Sequence, residues 1–524
     1  MKLGAAEWRT LFLVNLAAIM ERADEALLPS VYKEVGEALH ASPTGLGSLT
    51  LFRSIVQSAC YPLAAYLATR HNRTHVIALG AFLWAAATFL VALSGTFLQG
   101  YNIPISTANF NPKGFFVLNN SSFLQVAISR ALNGVGLALV TPAIQSLVAD
   151  STDESTRGTA FGWLQLTGNL GSIIGGFFSL LLASTTVMGI AGWRVAFHIV
   201  GIISVVVGLL IRLVAVDPHF LNGPRPANGP VSGRNSMWED VKDMFDEAKS
   251  VIKIPSFQII VAQGVTGSFP WSALSFAPMW LELIGFSHEG TGIIMSMFIV
   301  ACSIGGLIGG MMGDLLGKRF PNSGRIILSQ ISSASAIPLA ALLMLVLPDD
   351  PSTGILHGLV IFIMGLSISW NAPATNNPIF AEIVPEKSRT SIYALDRSFE
   401  SVLSSFAPPV VGILAERVYG YKPVSIGQRG NSSPEADREN AASLAKALYT
   451  TIAIPMTLCC SIYSFLYCTY PRDRERARMD SLIASELEQI ELENARDIVY
   501  KEEDLEIDGS DERTLLSDKV DLPN

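Results

Sequence analysis

The sequence predicts an all-α membrane protein, with about twelve bilayer-spanning helices arranged as two six-helix pseudo-repeats. Three observations lead there. Of its 524 residues, 50% are hydrophobic and only 15% are charged, whereas soluble domains carry about 25% charged residues. The apolar residues run in long uninterrupted stretches, of the length that crosses a bilayer as a helix. Two loop patterns also recur six spans apart. The net charge of −9 is no guide to partners, because acidic residues crowd the tail and the chain up to about position 470 is near balance. No nucleic-acid partner is expected.

Apolar windows place the spans at 8–29, 46–68, 74–97, 123–147, 158–183, 194–216, 256–282, 291–313, 326–347, 354–380, 390–416 and 442–468. The first stretch, Leu11 to Leu28, lacks a small-residue cleavage site and is expected to persist as a helix rather than act as a signal peptide. Lys and Arg set the orientation. With the N-terminus inside, the cytoplasmic loops carry thirteen, among them Arg70, Arg73, Arg157, Lys318, Arg319, Arg325, Lys387 and Arg389. The opposite loops carry six or seven, four of them in 417–441. Both termini are therefore expected in the cytoplasm.

Four segments follow: an N-terminal six-helix half at 1–216, a linker at 217–255, a C-terminal half at 256–470 and an acidic tail at 471–524. The linker is polar and Gly/Pro-rich at first, and Trp238 to Ile254 has the periodicity of a helix lying at the membrane surface. The tail opens with Arg472, Arg474, Arg476 and Arg478, suited to anionic lipid headgroups. It then turns acidic, with helical character to about Glu503. Five cysteines, Cys60, Cys302, Cys459, Cys460 and Cys468, sit in apolar runs without metal-ligand spacing and read as packing residues. No metal and no cofactor is expected.

The second span ends Ala65-Tyr-Leu-Ala-Thr-Arg70-His-Asn-Arg73, and the eighth ends Gly310-Met-Met-Gly-Asp314-Leu-Leu-Gly-Lys318-Arg319. Both are small-residue helix ends running into a basic turn. After the fourth span stands Asp153-Glu-Ser-Thr-Arg157-Gly, and after the tenth Glu382-Ile-Val-Pro-Glu-Lys-Ser-Arg389-Thr. Two matches at equivalent places indicate parallel repeats.

On these residues the chain resembles the major facilitator superfamily, and within it the spinster-like branch. The loop signature is clean at Gly310 to Arg319, and the resemblance implies that Asp314 caps a neighbouring helix and holds the inward gate closed. In the first half Thr69 stands where an acid is expected. Gly192-Trp193-Arg194 at the start of the sixth span is also superfamily-like. The branch resemblance rests on Asn15 to Arg22, Arg130-Ala-Leu-Asn-Gly-Val-Gly136 and Tyr66 to Arg73. Leu137 stands where the branch continues with a glutamate. Residues 98–122 look like an insertion into a normally short loop.

The sharpest residue-level signal is Glu21, Arg22, Asp24 and Glu25 in the first span. Each mid-membrane charge costs roughly 2.5 to 3.5 kcal/mol on insertion scales. On a helix the four fall within one arc of about 160°, so one face can turn inward. Arg22 and Glu25, three apart, can pair. The functional reading is a proton-coupling site, since low dielectric favours the neutral carboxyl; the plain alternative is a helix ending near Met20 in a polar vestibule. Arg53 and Arg130 are the next bases, read as substrate contacts or as partners of the carboxylates. Asp396, Arg397 and Glu400 read as an internal salt bridge of the eleventh span.

The tenth span carries Trp370-Asn371-Ala-Pro373-Ala-Thr-Asn376-Asn377-Pro378, and the seventh carries Phe269-Pro270-Trp271. Prolines free backbone carbonyls, and such breaks are tolerated where they line a cavity. Trp271, Trp370, Asn371, Asn376 and Asn377 are therefore candidate cavity residues, with packed kinks as the alternative. Glycine runs at Gly168 to Gly176 and Gly305 to Gly310 read as close-packing surfaces. Arg70, Arg73, Asp153, Arg157, Gly310, Asp314, Lys318, Arg319 and Arg389 are the candidate gate elements. Glycosylation sequons occur at Asn72, Asn119, Asn120 and Asn431, and Asp511-Glu-Arg-Thr-Leu515-Leu516 fits a sorting signal to a lysosome or vacuole.

Seven scattered histidines, the lack of H-E-x-x-H and the lack of a phosphate-binding loop argue against an intramembrane enzyme or an ATP-driven pump. The expectation is a monomeric secondary transporter working by alternating access, coupled to protons, in a vacuolar, lysosomal or plasma membrane. By resemblance its solute is a small amphipathic molecule such as a lysolipid or sphingolipid. The competing class is a non-transporting receptor or scaffold on the same fold.

Overall fold

The computed structural model describes residues 5–31, 43–94, 121–183, 189–217, 237–404, 407–421 and 434–487, with a few isolated positions besides. The insertion up to 120, the start of the linker, the sequons at Asn119, Asn120 and Asn431, and the Leu515-Leu516 signal lie outside them. The first bundle holds α1 (Ala5–Ser30), α2 (Pro43–Arg70), α3 (Arg73–Ala92), α4 (Ser121–Asp150), α5 (Arg157–Ala183) and α6 (Gly192–Val214). A short hairpin, β1 (Thr186–Val187) with β2 (Ile190–Ala191), joins α5 to α6. The linker helix is α7 (Met237–Ile252). The second bundle holds α8 (Pro255–Ala273), α9 (Ala277–Ile284), α10 (His288–Arg319), α11 (Gly324–Ala341), α12 (Gly354–Ile368), α13 (Asn377–Glu382), α14 (Arg389–Ser404), α15 (Ala407–Ile413) and α16 (Pro434–Tyr463). Each predicted span corresponds to one helix, except the seventh, tenth and eleventh, which are each two consecutive helices.

Seven segments among the described residues are long and apolar enough to cross a membrane. The other five spans are the charged, glycine-rich or broken ones: α1, α2, α5, α8 with α9, and α14 with α15. Proline explains the best-defined break. A π-helical turn over Asn371–Asn376 contains Pro373, and Pro378 opens α13; each proline lacks the N–H that a continuous ladder needs. Large apolar side chains cover the outside of the molecule, Leu213 and Ile355 among the most exposed, as a lipid solvent allows.

The glycines set how closely helices approach. A Cβ on Gly171 would lie 2.3 Å from the Ile19 carbonyl, so α5 and α1 touch backbone to backbone. The glycine run of α10 has two faces. Gly305 and Gly309 meet the Leu366 carbonyl and the Trp370 ring, while Gly306 and Gly310 meet Gln165 and Gly158 of α5.

The loop repeat is also a repeat of contacts. Arg157 donates from Nε to the Ala149 carbonyl at 3.2 Å, and Arg389 does the same to Ala381 at 3.2 Å. Arg73, opening α3, pairs with Asp150 at the end of α4. Arg325, opening α11, lies 3.8 Å from Glu382 at the end of α13. Asn72 caps α3 by accepting from the Thr74 N–H at 2.9 Å, which gives that sequon asparagine a structural role.

Candidate functional site

The two bundles enclose a cavity of about 800 Å³, within the range that takes a drug-sized ligand. Glu21, Arg22, Tyr61, Thr141 and Gln145 line it from the first bundle. Gln263, Trp271, Asn371, Asn376, Asn377, Arg397 and Glu400 line it from the second. Apolar rings share the wall with these polar groups: Phe161 on one side, and Phe298 with the half-exposed Trp271 tilted against it on the other.

Four charges on α1 turn inward because one face of the helix carries them all, and they divide their partners unequally. Glu25 takes two arginines, Arg53 at 2.9 Å and Arg22 at 3.0 Å. Asp24 is fully buried; it accepts from Thr88 at 2.5 Å and Asn133 at 2.8 Å, and Arg130 stands 3.9 Å away. Glu21 is 5% exposed, and the hydrogen bond it receives comes from the neutral Thr141 hydroxyl at 2.8 Å. Three acids and three bases balance in this bundle interior, but no arginine comes within ion-pair distance of Glu21 among the described residues. It is a cavity-lining carboxyl whose hydrogen-bond donor is a neutral hydroxyl.

Contacts between the bundles gather at the end bearing the basic loops. Asp314 accepts from the Gly158 N–H at 2.8 Å and from the Thr159 N–H and hydroxyl at 2.7 Å each, capping α5 from across the interface. Arg325 holds the same carboxylate at 3.0 Å and reaches the Ala374 and Glu154 carbonyls. Asp150 lies between the bundles and pairs with Arg73 of its own and Arg389 of the other. Asp217 holds Arg73 from behind, at 2.5 to 3.0 Å. Thr390 donates to Ser146 at 2.8 Å. The interface is closed here, and the cavity extends the other way through Trp271, Ser275 and Met295.

Several residues stand elsewhere than the sequence suggested. Arg53 and Arg130 do not line the cavity; of their two readings it is the one as carboxylate partners that fits, since they stand with Glu25 and Asp24 inside the first bundle. Trp370 packs over Gly309 instead of facing the cavity. Asp153 is exposed in its loop, and Asp150 makes the ion pair across the bundles instead. Lys318 and Arg319 are exposed, Arg70 lies over the Tyr66 ring, and Arg157 binds carbonyls of its own loop. Arg397 and Glu400, read as part of an internal salt bridge, do pair at 3.7 Å, and they also line the cavity. Sequence reasoning missed Asp150 and Asp217, and took Glu382 only as part of the repeated loop. The available signal was their place, as acids at the ends of apolar spans beside basic turns.

The family model described as Major Facilitator Superfamily matches residues 14–408. The chain belongs to the major facilitator superfamily. That family is one of integral membrane transporters, and the relatives of this chain include the spinster-like branch. Protein spinster of Drosophila melanogaster is 21% identical over 431 residues, covering 79% of this chain and 63% of that protein; the chain thus spans under two thirds of that relative. The Mus musculus protein named sphingosine-1-phosphate transporter SPNS2 is 22% identical over 275 residues, 52% of this chain and 42% of its own length. A bacterial homologue of the human lysosomal transporter Spinster, solved in an inward-facing, occupied conformation, superposes with a TM-score of 0.55 at 18% identity. That match covers 90% of this chain and 99% of the other. A double-tryptophan mutant of XylE superposes at 0.61 and 14% identity, over 90% and 98%. At these identities the structures share the superfamily fold.

Proposed function

We propose that this superfamily member is a proton-coupled secondary transporter of a small amphipathic solute, working by alternating access. The observation that carries the reading is Glu21, a buried carboxyl on the cavity wall that is hydrogen-bonded to a neutral hydroxyl while its acidic neighbours are matched to arginines. Protonation removes its charge before the cavity turns through low dielectric, where a bare carboxylate is costly. The bundles at 1–216 and 256–470 are the rocking bodies, joined by 217–255 and followed by the 471–524 tail. The basic-loop end and both termini face the cytoplasm, by the excess of Lys and Arg. Asp150 with Arg389, and Asp314 on α5, are the links that must part for the cavity to face that side.

The mixed wall supports an amphipathic solute. Arg22 and Arg397 offer bases to an anionic group, and Phe161, Trp271 and Phe298 offer an apolar floor. Lysolipids and sphingoid lipids are the first candidates, because relatives include spinster and a sphingosine-1-phosphate transporter. A vacuolar, lysosomal or plasma membrane suits such a solute, and the monomer is the transporting unit. The test is uptake of lysophospholipids and sphingoid bases into proteoliposomes with and without an imposed pH gradient. Gradient-driven accumulation of one of them supports the reading. Equal flux in both conditions removes the proton, and an absence of flux for every solute favours a non-transporting receptor on this fold.

A further inference from the structure

The first bundle balances its interior charges, and the second does not. On α14, Asp396 and Glu400 stand one turn apart with a single base, Arg397, between them. Arg397 reaches Glu400 at 3.7 Å, and no ion pair to Asp396 occurs among the described residues. Asp396 is 6% exposed and its Oδ1 has no hydrogen-bond partner. The Arg397 Nε is likewise without a partner. Glu400 is pressed against α8, where a Cβ on Gly264 would fall 2.2 Å from its Oε1.

Among the described residues no base of the neighbouring elements, Lys242 and Lys249 of α7 included, forms an ion pair with Asp396. On α2, Arg53 is held by Glu25, and Tyr61 accepts from Gln57. The segment Pro255–Ala273 of α8 has no titratable side chain. On α4, Arg130 stands by Asp24 and Asp150 is taken by Arg73 and Arg389. Glu247 of α7 accepts from Ser391. Glu382 of α13 lies with Arg325 and Tyr470, and Glu386 lies by Arg389. Across the helix interface, α16 brings the neutral Cys459 and Tyr463 near Glu400, and α1 faces it over the cavity with Glu21 and Arg22. On its own helix Asp396 has Arg397, Glu400 and Tyr393 for titratable neighbours, and the Tyr393 hydroxyl donates to the Asn377 carbonyl.

We propose that Asp396 is a second proton site, in the opposite bundle from Glu21, which holds a proton while the gate is closed. This deepens the proton-coupled reading and rests on it. Two carboxylates against one guanidinium leave one negative charge without a partner in the membrane interior, and a proton is the counter-charge that fits without a hydrogen-bonded cage. Position gives the site a role. Glu400 lines the cavity, Asp396 lies about 6 Å further along the helix axis, and Arg389 at the gate about 10 Å beyond it, at 1.5 Å rise per residue. A proton entering from the cavity protonates Glu400. It then passes to the Asp396 carboxylate, leaving Glu400 ionised beside Arg397, and leaves for the basic-loop side once the gate ion pairs part.

Infrared difference spectroscopy on the full chain in nanodiscs reads this directly, through the deuterium-sensitive C=O stretch of a protonated carboxyl. At neutral pH the wild type should show such a band that Asp396→Asn removes and Glu21→Gln retains. A band unchanged by Asp396→Asn overturns the proposal, as does its replacement by a sodium-dependent carboxylate signal. Should Asp396→Asn fail to fold, Asp396→Glu is expected to keep the band at a shifted frequency, and an unshifted band overturns the proposal equally. In proteoliposomes Asp396→Asn should retain solute exchange within about twofold, while gradient-driven accumulation falls to the level without a gradient. Loss of coupling in Glu21→Gln with wild-type coupling in Asp396→Asn refutes this site and keeps the broader reading. A wild type indifferent to the gradient refutes the broader reading, and the infrared band then judges Asp396 alone.

Discussion

At the residue scale the account turns on three carboxylates within five positions of one helix that have different partners. Asp24 is matched to Arg130, Asn133 and Thr88, so removing it takes a counter-charge from beside a buried guanidinium. Breaking a buried pair from one side costs about 3 to 5 kcal/mol. Asp24→Ala is therefore expected to lose most folded, monodisperse protein on size exclusion, whereas Glu21→Gln keeps it, since a glutamine carbonyl can still accept from Thr141. Equal loss in both variants would mean that Glu21 is as structural as its neighbours. The six charges of this cluster were legible in the sequence, because charge in an apolar span stands out. So was the pairing of Arg22 with Glu25, three apart on one helix, but the partners of Arg53 and Arg130 were not. Whether Arg53 meets Glu25 or the cavity depends on how α2 is rotated against α1, and apolar periodicity leaves that rotation open by a good fraction of a turn.

Among the helices, closure at the basic-loop end depends on α5 and α10 meeting where neither has a side chain. A Cβ on Gly310 would overlap the Gly158 carbonyl, so Gly310→Leu should hold the two bundles apart. In a background with the native cysteines replaced, a reporter cysteine at Gln145 should then be labelled from the basic-loop side faster, by about tenfold if the gate loses about 1.4 kcal/mol. Asp150→Asn should raise labelling in the same direction by removing the carboxylate that Arg73 and Arg389 share. Unchanged labelling in both would place the gate elsewhere. The loop signature made Asp314 and Gly310 readable in advance. Asp150 was passed over for Asp153 because both lie near the same basic turn, and only the helix end fixes which one points across the interface. The prolines near 270 and 373 announced broken spans, although a proline alone does not say that the break at Asn371–Asn376 takes the form of a π-helical turn.

For the whole molecule, the twelve spans and the two pseudo-repeats were legible because length, hydropathy and recurring loops are properties of long segments. The far end of the second bundle was less so. The helix over 466–487 is built into it: Asp473 caps the Ser256 N–H at 2.9 Å, and Arg474 binds the Pro321 carbonyl and Asn322 at 2.8 Å each. Arg474, expected on lipid headgroups, is thus a clamp on the α10–α11 turn. Tyr470 donates to Glu382, and burial, then the Glu382 carboxylate, push its phenol pKa up, so it stays a donor through ordinary pH. A chain cut after 487 should melt within about a degree of the full protein. A cut after 466 should melt at least about 4 °C lower, at roughly 2 to 4 °C per kcal/mol for a domain of this size. Equal melting of both would show that these contacts contribute little.

The central claim, that proton coupling runs through Glu21, is tested most directly by comparing wild type, Glu21→Gln and Glu25→Gln in proteoliposomes. Each is measured for solute accumulation under an imposed pH gradient and for gradient-free exchange. The account predicts that Glu21→Gln keeps exchange and loses the response to the gradient. Glu25→Gln, where folded, should keep the response, since its carboxylate serves two arginines. A Glu21→Gln protein that still concentrates solute down the pH gradient like the wild type would contradict the account.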